Sequence, residues 1–277
     1  MCGTLWVVAT PLGNLGDFSP RARQVLEEAE VILAEDTRRA GQLLHLVGIA
    51  PKRLVSLHEH NETGRIADVL DWLRDGRRVA VVSDAGTPLI ADPGYRLVAA
   101  CRAQGLPVVP VPGPCAPIAA LMASGLPPYP FVFLGFLPRK SGDARELLHG
   151  YTQIQATLVF FERKNRVPES LALAHQVLGE REFCLARELT KKHEQFISGR
   201  LGQPFECDDE LLGEVTVVIG PPHDVPSSTR EDVLAVISTM KDRDQKPRDV
   251  ARCVQARVRG WSVKQIYELL QLGSRAD

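Results

Sequence analysis

The chain has 277 residues, of which 44% are hydrophobic and 24% are charged, and its formal net charge at pH 7 is −1. This length suits one large or two ordinary domains, and the charge excludes a global basic field that would attract nucleic acid. Six cysteines without a CxxC pair disfavour a disulfide scaffold or a cysteine-type zinc site and favour a reducing, cytoplasmic environment. We expect neither a signal peptide nor a membrane-spanning segment.

The first half of the chain alternates in period between strands and helices. Ser19 and Pro20 are typical of the N-cap and first residue of a helix. Apolar runs typical of buried strands lie at 5–9, 31–34, 54–57, 79–82 and 108–111, each followed by apolar residues at helical spacing. This alternation predicts right-handed βαβ units and a mostly parallel sheet. We therefore expect an N-terminal α/β domain over 1–125.

The second half changes character after the stiff connector at 124–130, which is rich in proline and glycine. Strands are predicted at 131–136, 157–161, 183–186 and 215–219, with one long helix at 167–178. This mixture predicts a smaller α+β domain over 126–222, which ends at two consecutive prolines.

The sequence of residues 223–277 predicts a helical tail. Thr229 and Asp232 resemble a capping box ahead of an apolar stripe. The stretch at 246–264 holds six basic residues and one acidic residue. Two short helices with a basic surface fit a helix-turn-helix-like contact with RNA, whereas such charge runs more often only face water. Both interpretations stay open.

Five loop segments at the predicted strand ends combine glycine or proline with polar side chains. In open α/β folds, ligands bind at the carboxyl ends of the strands. Gly13, Gly86 and Gly113 would let backbone amides approach a ligand closely. The segments lie at 10–14, 35–38, 58–62, 84–94 and 112–116. Together they predict a small-molecule site at one edge of the sheet.

Several common sites are excluded by their missing motifs. The chain has no GxGxxG after its first strand, no GxxxxGK[ST] and no GxSxG, which disfavours a dinucleotide site, a P-loop and an esterase elbow. His58 and His60 alternate along the chain, but a metal would need further ligands that the sequence does not identify. Either histidine is more readily explained as a polar rim residue or a substrate contact. Charged groups at 160–163 and 186–194 either form surface ion pairs or face the first domain across a cleft.

Six motifs in order carry a family resemblance. They are LWVVATPLGNLGD at 5–17, AEDTR at 34–38, SDAGTP at 83–88, DPG at 92–94, VPGP at 111–114 and RELTK at 187–191. The chain from about 5 to 220 resembles the tetrapyrrole-methylase-like superfamily and, within it, the methyltransferases of small-subunit ribosomal RNA. The resemblance implies a two-domain tetrapyrrole-methylase-like fold with a cofactor in the cleft between the domains, usually in a homodimer.

The resemblance also implies an activity, namely methyl transfer from S-adenosylmethionine to a cytidine ribose 2′-hydroxyl in the 16S rRNA of the small ribosomal subunit. DNA lacks that hydroxyl and should not be a substrate. Two departures from the family pattern lie near the expected site, Cys115 in place of serine and Glu162-Arg-Lys-Asn-Arg166 in place of Glu-Ser-Pro-His-Arg. The implied cofactor-binding residues are Thr10, Pro11, Asp84, Gly86, Thr87, Pro88, Leu89, Ile90, Asp92, Pro112, Gly113, Ala116, Phe161, Arg187 and Leu189.

A sulfonium methyl donor is already activated, so the reaction requires no metal. The protein must align the reacting oxygen, carbon and sulfur atoms and must accept the hydroxyl proton. The candidates to accept this proton are Glu35, Asp36, His58, Glu188 and Lys191, while Arg38 and Lys191 are candidates to hold RNA phosphates. We expect the catalytic set to be Glu35, Asp36, Arg38 and Lys191.

Two alternatives remain at this point. The superfamily also hosts methyl transfer to tetrapyrroles and to protein residues, which fold analogy alone does not exclude. The departures at 115 and 163–165 also leave open a protein that binds the cofactor, as a sensor or in ribosome assembly, without catalytic activity.

Overall fold

The computed structural model describes residues 2–204, 213–222, 228–240, 246–258 and 260–273. The chain divides into two compact units, Met1–Pro222 and His223–Asp277. No helix within those described ranges is both long and apolar enough to cross a membrane. The predicted division of the first unit near residue 125 stays a prediction.

The first unit begins with a five-stranded sheet in the order β3-β2-β4-β1-β5, and every pair in it is parallel. Its strands are β1 (Leu5–Val8), β2 (Val31–Ala34), β3 (Leu54–Ser56), β4 (Val79–Val82) and β5 (Val108–Val111). The helices that follow them are α1 (Pro20–Glu28), α2 (Thr37–Leu46), α3 (Glu62–Arg74), α4 (Tyr95–Ala103) and α5 (Ala116–Ala123). The predicted parallel α/β arrangement is confirmed.

The central strands of this sheet are covered on both faces, which explains their continuous apolar sequences. Every residue of β2 and β4 is buried. Successive side chains of a strand point to opposite faces, and β2 accordingly places Val31 and Leu33 in one core cluster and Ile32 and Ala34 in another. Helices pack on each face and leave only the strand ends open.

Side-chain hydrogen bonds satisfy backbone amides at the starts of α1 and α4. The Ser19 hydroxyl accepts a hydrogen bond from the Ala22 amide at 3.0 Å, and Pro20 opens α1 as predicted. Glu62 is buried and accepts hydrogen bonds from the amides of Gly94 (3.1 Å) and Leu97 (3.2 Å) at the start of α4. This carboxylate satisfies amides that would otherwise lack partners at the helix start, and it anchors the end of the 84–94 segment.

The second sheet is mixed, with the order β6-β7-β10-β8-β9. Its β6–β7 pair is parallel and its other pairs are antiparallel. Its strands are β6 (Phe131–Phe136), β7 (Thr157–Arg163), β8 (Glu182–Arg187), β9 (Gln195–Arg200) and β10 (Glu214–Ile219), with helices α6 (Ser141–His149) and α7 (Val167–Leu178). Ala120 and Leu121 of α5 pack in one cluster with Val159 and Val218 of this sheet, which joins it to the first. The mixed α+β character is confirmed.

Two elements were missed from the sequence. Strand β9 lies at an edge of the sheet and buries only Ile197 among its residues, so its sequence lacks the alternation of a half-buried strand. Helix α6 is short and buries only Ala144 and Leu148, too few positions for a clear helical stripe. Tertiary pairing rather than local pattern determines both elements.

The second unit contains α8 (Arg230–Thr239), α9 (Pro247–Gln255) and α10 (Val263–Gly273). The predicted capping box is confirmed, because Thr229 and Asp232 exchange side-chain to backbone hydrogen bonds at 2.8 and 3.1 Å. Buried Val233, Val250 and Ile266 belong to the unit's own apolar cluster. Within the basic stretch at 246–264, the exposed basic residues are Lys246, Arg248, Arg252, Arg257 and Lys264, whereas Arg259 lies outside the described residues.

Candidate active site

A cleft of about 680 Å³ lies in the first unit, between the carboxyl edge of the first sheet and the second sheet. The predicted site residues that line it are Pro11, Glu35, Asp84, Gly86, Thr87, Ile90, Asp92, Ala116, Phe161, Leu189 and Lys191. The predicted residues that do not line it are Thr10, Asp36, Arg38, Pro88, Leu89, Pro112, Gly113 and Arg187. The parallel strands thus bring most of the separate motifs together.

Hydrogen bonds tie the loops after β1, β4 and β5 into one wall of the cleft. Thr10 and Gly86 exchange backbone hydrogen bonds of 2.8 and 3.1 Å. The fully buried Thr10 hydroxyl donates to the Ser83 carbonyl at 3.3 Å, and the Thr87 hydroxyl donates to the Pro114 carbonyl at 2.9 Å. Thr10 therefore holds the loops of this wall together without lining the cleft itself.

Two of the three predicted loop glycines allow close packing between these loops. Gly86 has φ of +77°, which favours glycine, and a Cβ there would lie 2.9 Å from the Leu12 side chain. A Cβ on Gly113 would lie 2.9 Å from the Ala9 Cβ. Gly113 therefore allows close contact with Ala9, directly after β1, and lies outside the lining of the cleft.

Asp84 connects the ends of β4 and β2. Its carboxylate accepts a hydrogen bond from the Asp36 amide at 3.2 Å and forms an ion pair with the Arg39 guanidinium at 3.1 Å. Arg39 lines the cleft and was not singled out from the sequence, although it directly follows the AEDTR motif. The available signal was its place in the first turn of α2, beside the strand end.

Asp36 and Arg38 pair with each other. Asp36 is the N-cap of α2 and accepts from the Arg38 amide (2.8 Å), while its two carboxylate oxygens accept from the Arg38 guanidinium at 3.1 and 2.7 Å. These bonds to Arg38 hold the pKa of Asp36 well below its usual range. A carboxylate held in this way is a weak proton acceptor, so the geometry favours Glu35 over Asp36.

Two carboxyls in the cleft have raised pKa values, in contrast to Asp36. Burial, and then the negative charge of Asp84, raise the pKa of Glu35. Burial, and then the charge of Glu35, raise the pKa of Asp92 to about 6. Glu214 adds to both effects. Carboxyls with raised pKa in a cleft are candidates for acid–base chemistry near neutral pH.

Replacing Asp92 by asparagine should stabilise the fold above about pH 6. The raised pKa means that the folded state binds this proton more tightly than the unfolded state, so the wild type loses stability as pH rises from about 4 to about 6. Asparagine carries no charge, and we expect a gain on the order of 1 kcal/mol once solvent screening is included.

Urea unfolding at about pH 7.5 and about pH 4 measures this difference. Asp75→Asn, at an exposed position after α3, is the matched control and should change little at either pH. An equal effect of Asp92→Asn at both pH values would show that ionisation of Asp92 is not its cause.

The second sheet contributes aromatic and polar groups to the opposite wall. The Phe161 ring contacts the rings of Phe133 and Phe136 at centroid distances of 5.1 and 5.3 Å. Glu214 and Thr216 of β10 also line the cleft and were missed, although they alternate along the strand as side chains on one face do. Arg187 is buried and donates to the Gln195 side chain at 2.6 Å.

The two departures from the family pattern differ in position. Cys115 lies at the N-cap of α5 and lines the cleft. The second departure comprises residues 163–165, which are exposed and lie outside the lining. Glu162, which both patterns share, is buried and pairs with Ser170 and Arg166. His58, the remaining candidate proton acceptor, also lies outside it.

Comparison with known proteins places this chain in a family. A sequence model for the tetrapyrrole (corrin/porphyrin) methylases matches residues 4–204. A ribosomal RNA small subunit methyltransferase I from Micromonospora olivasterospora is 41% identical, over 95% of this chain and 86% of that protein. A protein of the same name from Escherichia coli O157:H7 is 45% identical, over 78% of this chain and 77% of that protein.

The fold also matches a solved structure. Uroporphyrin-III C-methyl transferase from Thermus thermophilus, complexed with S-adenyl homocysteine, superimposes with a TM-score of 0.54 at 19% identity, over 79% of this chain and 97% of that chain. At this identity the likeness concerns the fold. The sequence matches show that the chain belongs to the tetrapyrrole (corrin/porphyrin) methylase family and, within it, to the group named ribosomal RNA small subunit methyltransferase I.

Proposed function

We propose that this protein methylates the ribose 2′-hydroxyl of a cytidine in the 16S rRNA of the small ribosomal subunit. The observation that carries the proposal is the cleft, where motifs that resemble those of this methyltransferase group meet carboxyls of raised pKa. S-adenosylmethionine is the methyl donor, and it supplies an activated methyl group when bound. Methylation of ribosomal RNA is supported by the names of the relatives, whereas the cytidine ribose is the finer part of the proposal.

The cleft fits such a donor in size and charge. Its volume of about 680 Å³ lies in the range of small-molecule sites. Asp84, Asp92 and Glu214 place carboxyls around it, and negative charge favours a sulfonium cation. We propose that the predicted cofactor-binding residues lining the cleft contact the donor directly, and that Thr10, Pro88, Leu89, Pro112, Gly113 and Arg187 support them from behind.

We propose Glu35 as the acceptor of the hydroxyl proton. It lines the cleft at the end of β2, and its raised pKa suits a general base near neutral pH. Arg38 is 86% exposed at its side chain, which suits contact with an RNA phosphate at the rim. The basic, exposed face of the helical tail is compatible with a further RNA contact.

We also propose that the protein acts as a homodimer in the cytoplasm. Large apolar side chains are exposed on α5 and just before β6, where Met122 is 80% and Tyr129 is 83% exposed. We propose that these side chains form part of the dimer surface, because exposed apolar patches commonly mark association sites.

Labelled methyl transfer tests the proposed function. Tritiated S-adenosylmethionine and small ribosomal subunits from a strain that lacks the modification should give label on one cytidine ribose, mapped by nuclease digestion. Transfer should weaken with added salt, because RNA binding releases counterions. Label on a base, on ribosomal protein or only on an added tetrapyrrole would contradict the ribose assignment, and donor binding without transfer would favour a non-catalytic protein.

A further inference from the structure

The Lys191 side chain extends from the turn after β8 to the loop after β1. A Cβ on Gly13 would lie 2.4 Å from Lys191 Cγ and 3.0 Å from its Cε, so the aliphatic stem rests directly on the Gly13 backbone. The Lys191 ammonium donates to Glu188 Oε1 at 3.0 Å. Glu188 and Lys191 both line the cleft. One side chain thereby links the two sheets at the cleft.

The turn that carries this side chain has an unusual backbone. Glu188 has φ of +51° and Thr190 has φ of +66°, values in the left-handed region that non-glycine residues seldom adopt. The Lys191 amide donates to the Glu188 carbonyl at 3.0 Å, and the Thr190 amide donates to the Glu194 carboxylate at 2.6 Å. Such strain persists only where surrounding contacts hold it, and it is frequent at functional sites.

We infer that Lys191 orients the RNA acceptor at the cleft through its ammonium, and that Gly13 and Glu188 are positioning residues for it. The inference rests on the proposed function and assigns the alignment of the RNA substrate to one side chain. An ammonium has three donors and no acceptor, and one of those donors is directed at Glu188. The other two remain for phosphate or ribose oxygens of RNA, so Lys191 aligns the substrate while a carboxylate accepts the proton.

Gly13 offers a selective way to move Lys191. Its φ lies outside the left-handed region, so alanine fits the backbone, and the three atoms nearest to an added Cβ all belong to the Lys191 side chain. Gly13→Ala therefore displaces the lysine stem. It leaves the Lys191 ammonium, the Glu188 carboxylate and the residues proposed to bind S-adenosylmethionine chemically unchanged.

A double-mutant cycle tests the coupling. Gly13→Ala and Lys191→Ala should each lower kcat/KM for small ribosomal subunits by about tenfold or more, as misaligned substrates do. The dissociation constant of S-adenosylmethionine, from calorimetry, should stay within about twofold. The double variant should be no worse than Lys191→Ala alone. Independent losses that multiply, or an unchanged Gly13→Ala, would overturn the inference.

A control and a second measurement complete the test. Gly64→Ala lies in α3 at an exposed position with no atom within 4 Å of an added Cβ, and it should leave kcat/KM unchanged. Acylation of Lys191 by an N-hydroxysuccinimide ester, followed by mass spectrometry, should be faster in Gly13→Ala and Glu188→Gln than in wild type. Equal acylation rates would overturn the positioning role. Because acylation needs no RNA, a wild type that fails to methylate RNA would contradict the proposed function alone.

Discussion

Asp84→Ala should weaken S-adenosylmethionine binding by about 10- to 100-fold in isothermal titration calorimetry. Asp84 lines the cleft and accepts hydrogen bonds from the Asp36 amide and the Arg39 guanidinium. Its removal leaves both donors without this partner and releases the start of the 84–94 segment from the end of β2. Hydrogen bonds to charged groups contribute about 1.5–3 kcal/mol each, which sets the expected range.

Two further variants separate charge from geometry in this prediction. Asp84→Asn keeps an acceptor for the Asp36 amide but loses the charge that attracts Arg39, so it should weaken binding less than alanine does. Asp68→Ala removes an exposed carboxylate that pairs with Arg65 on α3 and should leave donor affinity unchanged. Unchanged affinity in Asp84→Ala would remove the 84–94 segment from the donor site.

The first sheet could be predicted from the sequence because its strands are short, continuous and apolar. Residues 79–82 are buried at every position, and a short, continuous apolar run of this kind can be recognised as a buried strand from the local sequence alone. Once the strands are parallel, their carboxyl ends must share an edge. The cleft could therefore be placed from local patterns in the chain, together with the motif resemblance.

The orientation of individual side chains could not be predicted in the same way. Thr10 turns inward to hydrogen-bond the Ser83 carbonyl, and Asp36 is occupied by Arg38. Both outcomes depend on neighbours that only the folded chain brings close. The contact of Lys191 with Gly13 has the same origin, since it joins loops that follow strands of different sheets.

The departure from the family pattern at 163–165 follows directly after the most buried carboxylate described in the second sheet, that of Glu162, which is 1% exposed. It accepts hydrogen bonds from the Ser170 hydroxyl at 2.5 Å and the Arg163 amide at 2.8 Å, and Arg166 lies 3.5 Å away as its ion partner. Glutamate at this position therefore holds β7 to the start of α7, whatever stands at 163–165.

Glu162→Ala should lower the free energy of unfolding by about 3–5 kcal/mol, because it removes two hydrogen bonds to a buried, charged carboxylate, each of which contributes about 1.5–3 kcal/mol. Urea unfolding at neutral pH measures the loss, and Glu169→Ala, an exposed glutamate in the first turn of α7, is the matched control and should cost about 0.5 kcal/mol or less. Adjacent side chains on a strand point to opposite faces, so Glu162 supports from behind the strand that presents Phe161 to the cleft. We therefore expect Glu162→Ala to lower both the free energy of unfolding and the affinity for S-adenosylmethionine, and Glu169→Ala to change neither appreciably. Equal unfolding energies for the two variants would show that this carboxylate does not hold the second wall in place.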